Sequence, residues 1–356
     1  MSNYVLKRMI LMIPTLFFIL LINFMIVQIA PGGPVEQAIQ NIQNTQGIGF
    51  GANDRSSLNT VSQYQGARGL SPEMIEKIKA QYGFDQPAYL RFWLMLKGYM
   101  TLDFGTSFFK DKAVTQLLWE KLPVTISLGL WSTFLIYLIA IPLGIKKAKK
   151  NGLLFDQSTS LFLAVCYAIP SFLFAIVLIV FFAGGSYWQW FPLQGLVSEN
   201  FAELSFFSQV KDYLWHMCLP ILSMVLGGFA TLTYLTKYSF VDELSKPYVL
   251  TAKSKGLTDF QVLYGHVFRN AILIVVAALP EAVIGIFFVG NLFIEIIFNL
   301  DGIGLLGFEA ISQRDYPVIF GTLFIFTLFG LILRLIGDLL YQWIDPRIDF
   351  QARGGK

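Results

Sequence analysis

Six stretches of about 20 or more mostly apolar residues constrain this chain above all else, since no water-soluble core can bury so many. They run over residues 9–29, 122–145, 157–183, 213–236, 271–295 and 317–343. A bilayer core of roughly 30 Å takes about 20 helical residues at 1.5 Å each. The chain therefore reads as an all-α integral membrane protein with six transmembrane helices. Composition agrees, because 55% hydrophobic and 14% charged residues do not describe a soluble domain. A net charge of +3, with no basic stripe interleaved with aromatics, excludes a nucleic-acid binder. The first stretch exceeds the h-region of a signal peptide, about 7 to 15 residues, and is read as an uncleaved span. After the third, Gly184, Gly185 and the Tyr187 to Trp190 cluster mark an exit into the aromatic interface belt.

Short-loop cations set the expected orientation. Lys146, Lys147, Lys149 and Lys150 follow the second stretch, and Lys237, Lys246, Lys253, Lys255 and Arg269 follow the fourth. The opposite short loops carry only Lys211 and Arg314, so both termini are expected in the cytoplasm. The segment 31–121 then forms a long extracytoplasmic loop after helix 1. Within it, residues 40–70 are rich in Gly, Asn, Gln and Ser and read as a flexible insertion. Ser71, Pro72 and Glu73 predict a short helix over 72–82 stopped by Gly83, and 87–100 an amphipathic helix lying on the membrane surface or the spans. The expected organisation is a span plus external loop over 1–121, a five-helix permease core over 122–345, and a cytoplasmic tail over 346–356.

The loop 237–270 carries the strongest local signals. Pro247 interrupts any helix continuing from the fourth span. Tyr248 to Lys255 suffices for two turns, Gly256 supplies a left-handed stop, and Thr258 with Gln261 forms a capping box leading into the fifth span. An isolated short helix is thus bounded on both sides. Ala252 and Gly256, four apart, give it a small-residue face that another protein could approach closely. A connector does not need such a knob, whereas a transmitter of motion between a soluble motor and a membrane domain does.

The stretch YVLTAKSKGLTDFQVLYGHVFRNA, from Tyr248 to Ala271, resembles the EAA-type coupling loop of ATP-binding cassette (ABC) importer permeases in its peptide-transporter form. Leu250 stands where the generic motif has Glu. The segment IAPGGP, from Ile29 to Pro34, resembles the family's L-P-G-D-P, with Gly33 for the Asp. The C-terminal third, including GNLFIEIIFNLDGIGLLGFEAIS and GDLLYQWIDPRIDF, is similar to dipeptide and oligopeptide permeases, apart from Asp301 for a usual Pro and Arg334 for a usual Asn. The A-P-G-G-P variant with the insertion after it is most similar to the subgroup importing microcin C-type peptide conjugates.

This resemblance implies a type I ABC importer transmembrane domain that moves peptides or peptide conjugates inward by alternating access. It implies a second homologous permease, an ATPase with two nucleotide-binding domains, an extracytoplasmic solute-binding protein and a bacterial inner-membrane location. Tyr248, Thr251, Ala252, Lys253, Lys255, Gly256 and Leu257 are the expected ATPase-docking residues, with Lys253 and Lys255 supplying charge in place of the missing acid. Another small solute such as a nickel chelate, or an ion-gradient-driven transporter without an ATPase, are the competing readings. The latter leaves the bounded helix unexplained.

No G-x-x-x-x-G-K-[ST], G-x-S-x-G or H-E-x-x-H occurs, so neither a catalytic nor a metal site is expected, and ATP with its Mg ion is assigned to the partner ATPase. His216 and His266 are read as structural, and Cys166 and Cys218 as small hydrophobes. Three charges fall within spans, where each costs about 2.5 to 3.5 kcal/mol by insertion scales. Glu281 and Arg334 lie at matching depths, and Asp338 sits one turn from Arg334. They are expected to pair across helices or to line the translocation path. Pro142, Pro170, Pro220 and Pro280, with Gly227 and Gly228, are read as ordinary membrane-helix breakers rather than hinges.

Overall fold

In the computed structural model, residues 2–29, 76, 85–185, 187–288 and 292–344 are described. The expected helix over 72–82, the insertion over 40–70 and the tail over 346–356 lie outside them, apart from the single residue Glu76. All the regular elements described are helices: α1 (Ser2–Ile29), α2 (Ala88–Met100), α3 (Val114–Lys149), α4 (Leu154–Ala168), α5 (Ser171–Phe182), α6 (Phe206–Leu244), α7 (Pro247–Ser254), α8 (Asp259–Val262), α9 (Phe268–Ala277), α10 (Leu279–Phe288), α11 (Leu292–Ile297), α12 (Ile303–Gln313) and α13 (Tyr316–Ile344). Among the described residues five helical stretches are long and apolar enough to cross a membrane, and the pair α4 and α5 makes a sixth if taken as one span.

That pair departs from the expected continuous span over 157–183. It bends by 92° between Ala168 and Ser171. Ile169 (φ −86°, ψ 117°) and Pro170 (φ −57°, ψ 135°) both leave the helical region, as the steric restriction on a residue before proline favours. Pro142 and Pro220, by contrast, stay inside unbroken helices, so Pro170 acts as a helix breaker where those two do not. Pro280 falls in the first turn of α10, where its missing N–H has no intrahelical partner to lose. The fifth apolar helical stretch among the described residues is Asp259–Ala282, and α10 continues beyond it to Phe288. Helices α3 and α6, at 36 and 39 residues, overrun their apolar stretches because their polar ends continue the helical ladder past the membrane thickness.

The chain divides into two compact units. The first comprises the N-terminal residues to Arg8, Lys121–Leu305 and the chain from Phe329 onward. Its core is formed by apolar positions of α3 to α6, α9 and α11, among them Leu128, Leu163, Met217, Phe229, Val275 and Ile294. Gly144 and Gly228 let α3 and α6 cross at close range: a Cβ on Gly144 would stand 2.6 Å from Thr236 Cβ, and one on Gly228 2.5 Å from Ile136 Cδ1. Asp301, the departure from the usual Pro, forms an ion pair with Lys121 at the unit's edge.

The second unit comprises Met9–Glu120 and Leu306–Leu328. Here α2 lies against α1 through Phe92 and Phe24, with centroids 5.2 Å apart, and exposes Tyr89, Trp93 and Met100 on its other side. Tyr99 is buried against Phe104 and Phe324. Asp315, just before α13, holds the 107–110 turn by accepting from Ser107 Oγ (2.5 Å) and Phe108 N–H (3.1 Å).

Candidate functional site

The loop after α6 folds as its local signals direct. Helix α6 ends at Leu244, and Lys246 is extended (φ −68°, ψ 147°), which the following proline requires. Pro247 then opens α7 at its first helical position, where no N–H is needed. At the other end Gly256 has φ +84°, its N–H reaches Lys253 O (2.9 Å), and Leu257 N–H reaches Ala252 O (3.4 Å). This is the Schellman closure, and Leu257 packs beneath it as that motif's apolar contact. Thr258 completes the reciprocal capping box: its Oγ1 accepts from Gln261 N–H (3.3 Å), and its own N–H donates to Gln261 Oε1 (2.9 Å). Residues Leu263–Val267 form a π-helical turn between α8 and α9, a feature absent from the sequence reading.

The helix is seated on the first unit by Val249 and Ala252, which are buried with Ile145, Ala148, Phe240 and Val267. Ala252 therefore does not present the outward small-residue face that its spacing from Gly256 suggested. In an eight-residue helix one face must be buried, and Val249 and Ala252, three apart, share that face. The outward side instead carries Leu250, 68% exposed, with Thr251, Lys253, Ser254, Lys255 and Gly256 also exposed. Lys253 Nζ lies 2.9 Å from Asp259 Oδ1 across the Gly256 turn, with both side chains largely open to solvent. Tyr248 is half-buried and donates to Glu243 Oε1 (2.8 Å), which also accepts from Asn270 Nδ2 (3.0 Å). Burial first, then that hydrogen bond to the carboxylate, raises the Tyr248 phenol above its ordinary range. One acid thus ties the end of α6 to the starts of α7 and α9.

The intramembrane charges do not assemble as expected. Asp338 pairs with Arg8 at 2.9 Å and accepts from Tyr4 Oη at 2.9 Å, so its partner is α1 and not Arg334. Glu281 and Arg334 are both exposed, and neither forms an ion pair with the other among the described residues. Their matched depth along two helices placed them at one level without aiming them at each other.

A charged cluster that the sequence reading missed lies in the first unit. Lys147 of α3 is fully buried, and its three N–H groups donate to Asp156 O (2.9 Å), Thr159 Oγ1 (2.8 Å) and Ser160 Oγ (2.8 Å) on α4. Its Nζ also stands 3.0 Å from Asp156 Oδ1. Lys237 of α6, 7% exposed, donates to Asp156 Oδ2 at 2.8 Å, and the same oxygen accepts from Gly152 N–H at 3.0 Å. By sequence both lysines read as loop cations that orient the spans. The available signal was Asp156 itself, a lone acid at the head of an otherwise uncharged stretch.

Comparisons with known proteins bear on this geometry. Residues 140–350 match the model of the family described as binding-protein-dependent transport system inner membrane component. The chain is 52% identical over 364 residues to the inner membrane ABC transporter permease protein YejB of Escherichia coli O157:H7, covering 99% of this chain and all of the relative. It is likewise 52% identical over 365 residues to the peptidoglycan transport system permease protein YejB of Agrobacterium fabrum, again covering 99% of this chain and all of the relative. The oligopeptide transport system permease protein AppB of Bacillus subtilis is 31% identical over 351 residues, 98% of this chain and all of that one.

Proposed function

We propose, from the premise that this chain belongs to the binding-protein-dependent transport system inner membrane components, that it carries peptides or peptide conjugates across the cytoplasmic membrane by alternating access. It is a multi-pass permease subunit of an ABC importer with the type I membrane-domain fold, and proteins of this family lack an ATPase site of their own. A substrate-binding protein and an ATPase complete such a system. Peptide cargo is supported by the relatives named for peptidoglycan and oligopeptide transport. The narrower reading, microcin C-type conjugates, rests on the A-P-G-G-P segment and the insertion after it.

In this reading α7 is the knob on which the ATPase docks, paired with a second homologous permease that offers its own. The observation that carries it is a two-turn helix closed at both ends by local signals, seated by Val249 and Ala252 and presenting Leu250 outward. ATP and Mg are bound by the ATPase, whose closure pushes α7 and thereby the spans it is seated on. Contact is made mainly by Leu250, Thr251 and the Gly256 turn, with Lys255 as the charge and Lys253 engaged with Asp259. Leu250→Asp places a charge in the contact without disturbing the seat. The ATPase is expected to stop co-purifying with the permease while the permease itself stays folded. Retained co-purification, or uptake that persists with no ATPase present, overturns the docking assignment. Uptake competition among a dipeptide, an oligopeptide, a muropeptide and a microcin C-type conjugate in a strain lacking this subunit decides the cargo.

A further inference from the structure

The Lys147, Asp156 and Lys237 cluster places two buried ammonium groups on one carboxylate, an excess of one positive charge. A structural ion pair needs one lysine. A second buried cation adds its own desolvation penalty without any further opposite charge to offset it. The two lysines also differ in how they are held. Lys147 spends all three N–H donors on α4, so it pins α4 to α3 whatever happens elsewhere. Lys237 reaches α4 through the single contact to Asp156 Oδ2. One turn earlier on α6, Tyr234 Oη donates to Ser160 O (3.1 Å), a neutral contact that a sliding helix exchanges with little electrostatic penalty.

Release of Lys237 leaves Asp156 its ion pair with Lys147, and Oδ1 accepts no hydrogen bond with or without Lys237. Asp156 keeps Lys147 at 3.0 Å and the Gly152 N–H at 3.0 Å, a balanced pair with its hydrogen bond intact. On the α6 side, the Lys237 ammonium already lies 5.4 Å from the centroid of Tyr238, an exposed ring that can share its charge. The contact therefore joins two helices tightly when made and separates without orphaning a buried acid. Its position is equally specific. Gly144 and Thr236 bring α3 and α6 into close approach one turn before Lys147 and one residue before Lys237, which sets both lysines beside the same face of α4. Seven residues beyond Lys237, about 10 Å at 1.5 Å each, α6 ends and α7 follows. At its other end α4 runs into the 92° bend at Pro170.

We propose that Lys237 is a positioning residue for transport: its contact with Asp156 is a latch that transmits movement of α6 and α7 to α4 and the bent helix α5, with Lys147 as the fixed pin. This rests on α7 being the ATPase dock, and the test separates the two ideas. The whole transporter, with its second permease, ATPase and binding protein, is reconstituted with Lys237→Met and Lys237→Arg. In Lys237→Met the cluster becomes a balanced Lys147–Asp156 pair. ATPase co-purification and basal hydrolysis are expected to stay at the wild-type level, while uptake per ATP hydrolysed falls about tenfold, within the range by which residues along a coupling route change coupling. Lys237→Arg, which keeps the charge and the contact, is expected to restore that ratio to within about twofold. A wild-type ratio in an assembled Lys237→Met transporter overturns the latch. Failure of the ATPase to co-purify with the wild-type permease overturns the docking reading instead. Should Lys237→Met not assemble, Asp156→Glu serves in its place, since it keeps all three charges and shifts the carboxylate by one methylene. A fall of severalfold in the ratio supports the latch, and an unchanged ratio sinks it.

Discussion

Two lysine–aspartate contacts in the first unit have the same chemistry and opposite weight. Lys253 and Asp259 meet at 2.9 Å across the Gly256 turn with side chains 49% and 76% exposed. Lys237 and Asp156 meet at 2.8 Å with both side chains more than nine-tenths buried. In water the first is screened, and holding two mobile side chains together offsets what the charges gain. In the interior, loss of a partner leaves a charge with no solvent to receive it. What holds α7 in shape is thus backbone geometry, while α4 adds buried electrostatics to the apolar packing of Leu163 and Cys166. A distance alone distinguishes neither.

Three substitutions press on that contrast. The largest effect is expected from Asp156→Asn, which leaves two buried cations without a counter-charge and should destabilise the permease by about 3 to 5 kcal/mol. Thermal unfolding of the detergent-purified protein measures it, and a cost no greater than that of Lys237→Met would show that the site is wetter or more open than its burial indicates. The middle effect is Gly256→Ala. No atom stands within 4 Å of the added Cβ, so sterics against neighbours are absent and only the φ of +84° acts against it. A left-handed alanine costs about 1 to 2 kcal/mol, and Gly256→Asn should cost less than Gly256→Ala. Equal costs would mean that the turn relaxes out of the left-handed region. The smallest effect is Lys253→Ala, expected to leave the melting temperature unchanged. A clear drop would promote this surface pair to a genuine clasp of the turn.

What was legible in advance follows the same division. Pro247, Gly256, and Thr258 with Gln261 each act on backbone groups within a few residues, so the limits of α7 could be read directly. The direction of its faces could not, because that depends on Phe240 and Ile145, which come from other helices. Lys147 and Lys237 carry the same residue type as true loop cations, and only the fold brings a carboxylate 81 positions from Lys237 into contact with it. Asp338 was assigned a neighbour one turn away, whereas its partners Tyr4 and Arg8 sit at the opposite end of the chain. Proline gave the least specific signal, since Pro142 and Pro220 are carried within helices and Pro170 is not.

The self-terminating form of α7 has an evolutionary consequence. Its ends are closed by Pro247 and Gly256, and its seat needs only Val249 and Ala252, so the outward positions answer to no internal packing demand. Leu250, Thr251 and Ser254 are free to drift with whatever surface they meet, and under the docking role proposed for α7 exchange of these three between paralogous systems should re-address the permease to a different motor without refolding the membrane part.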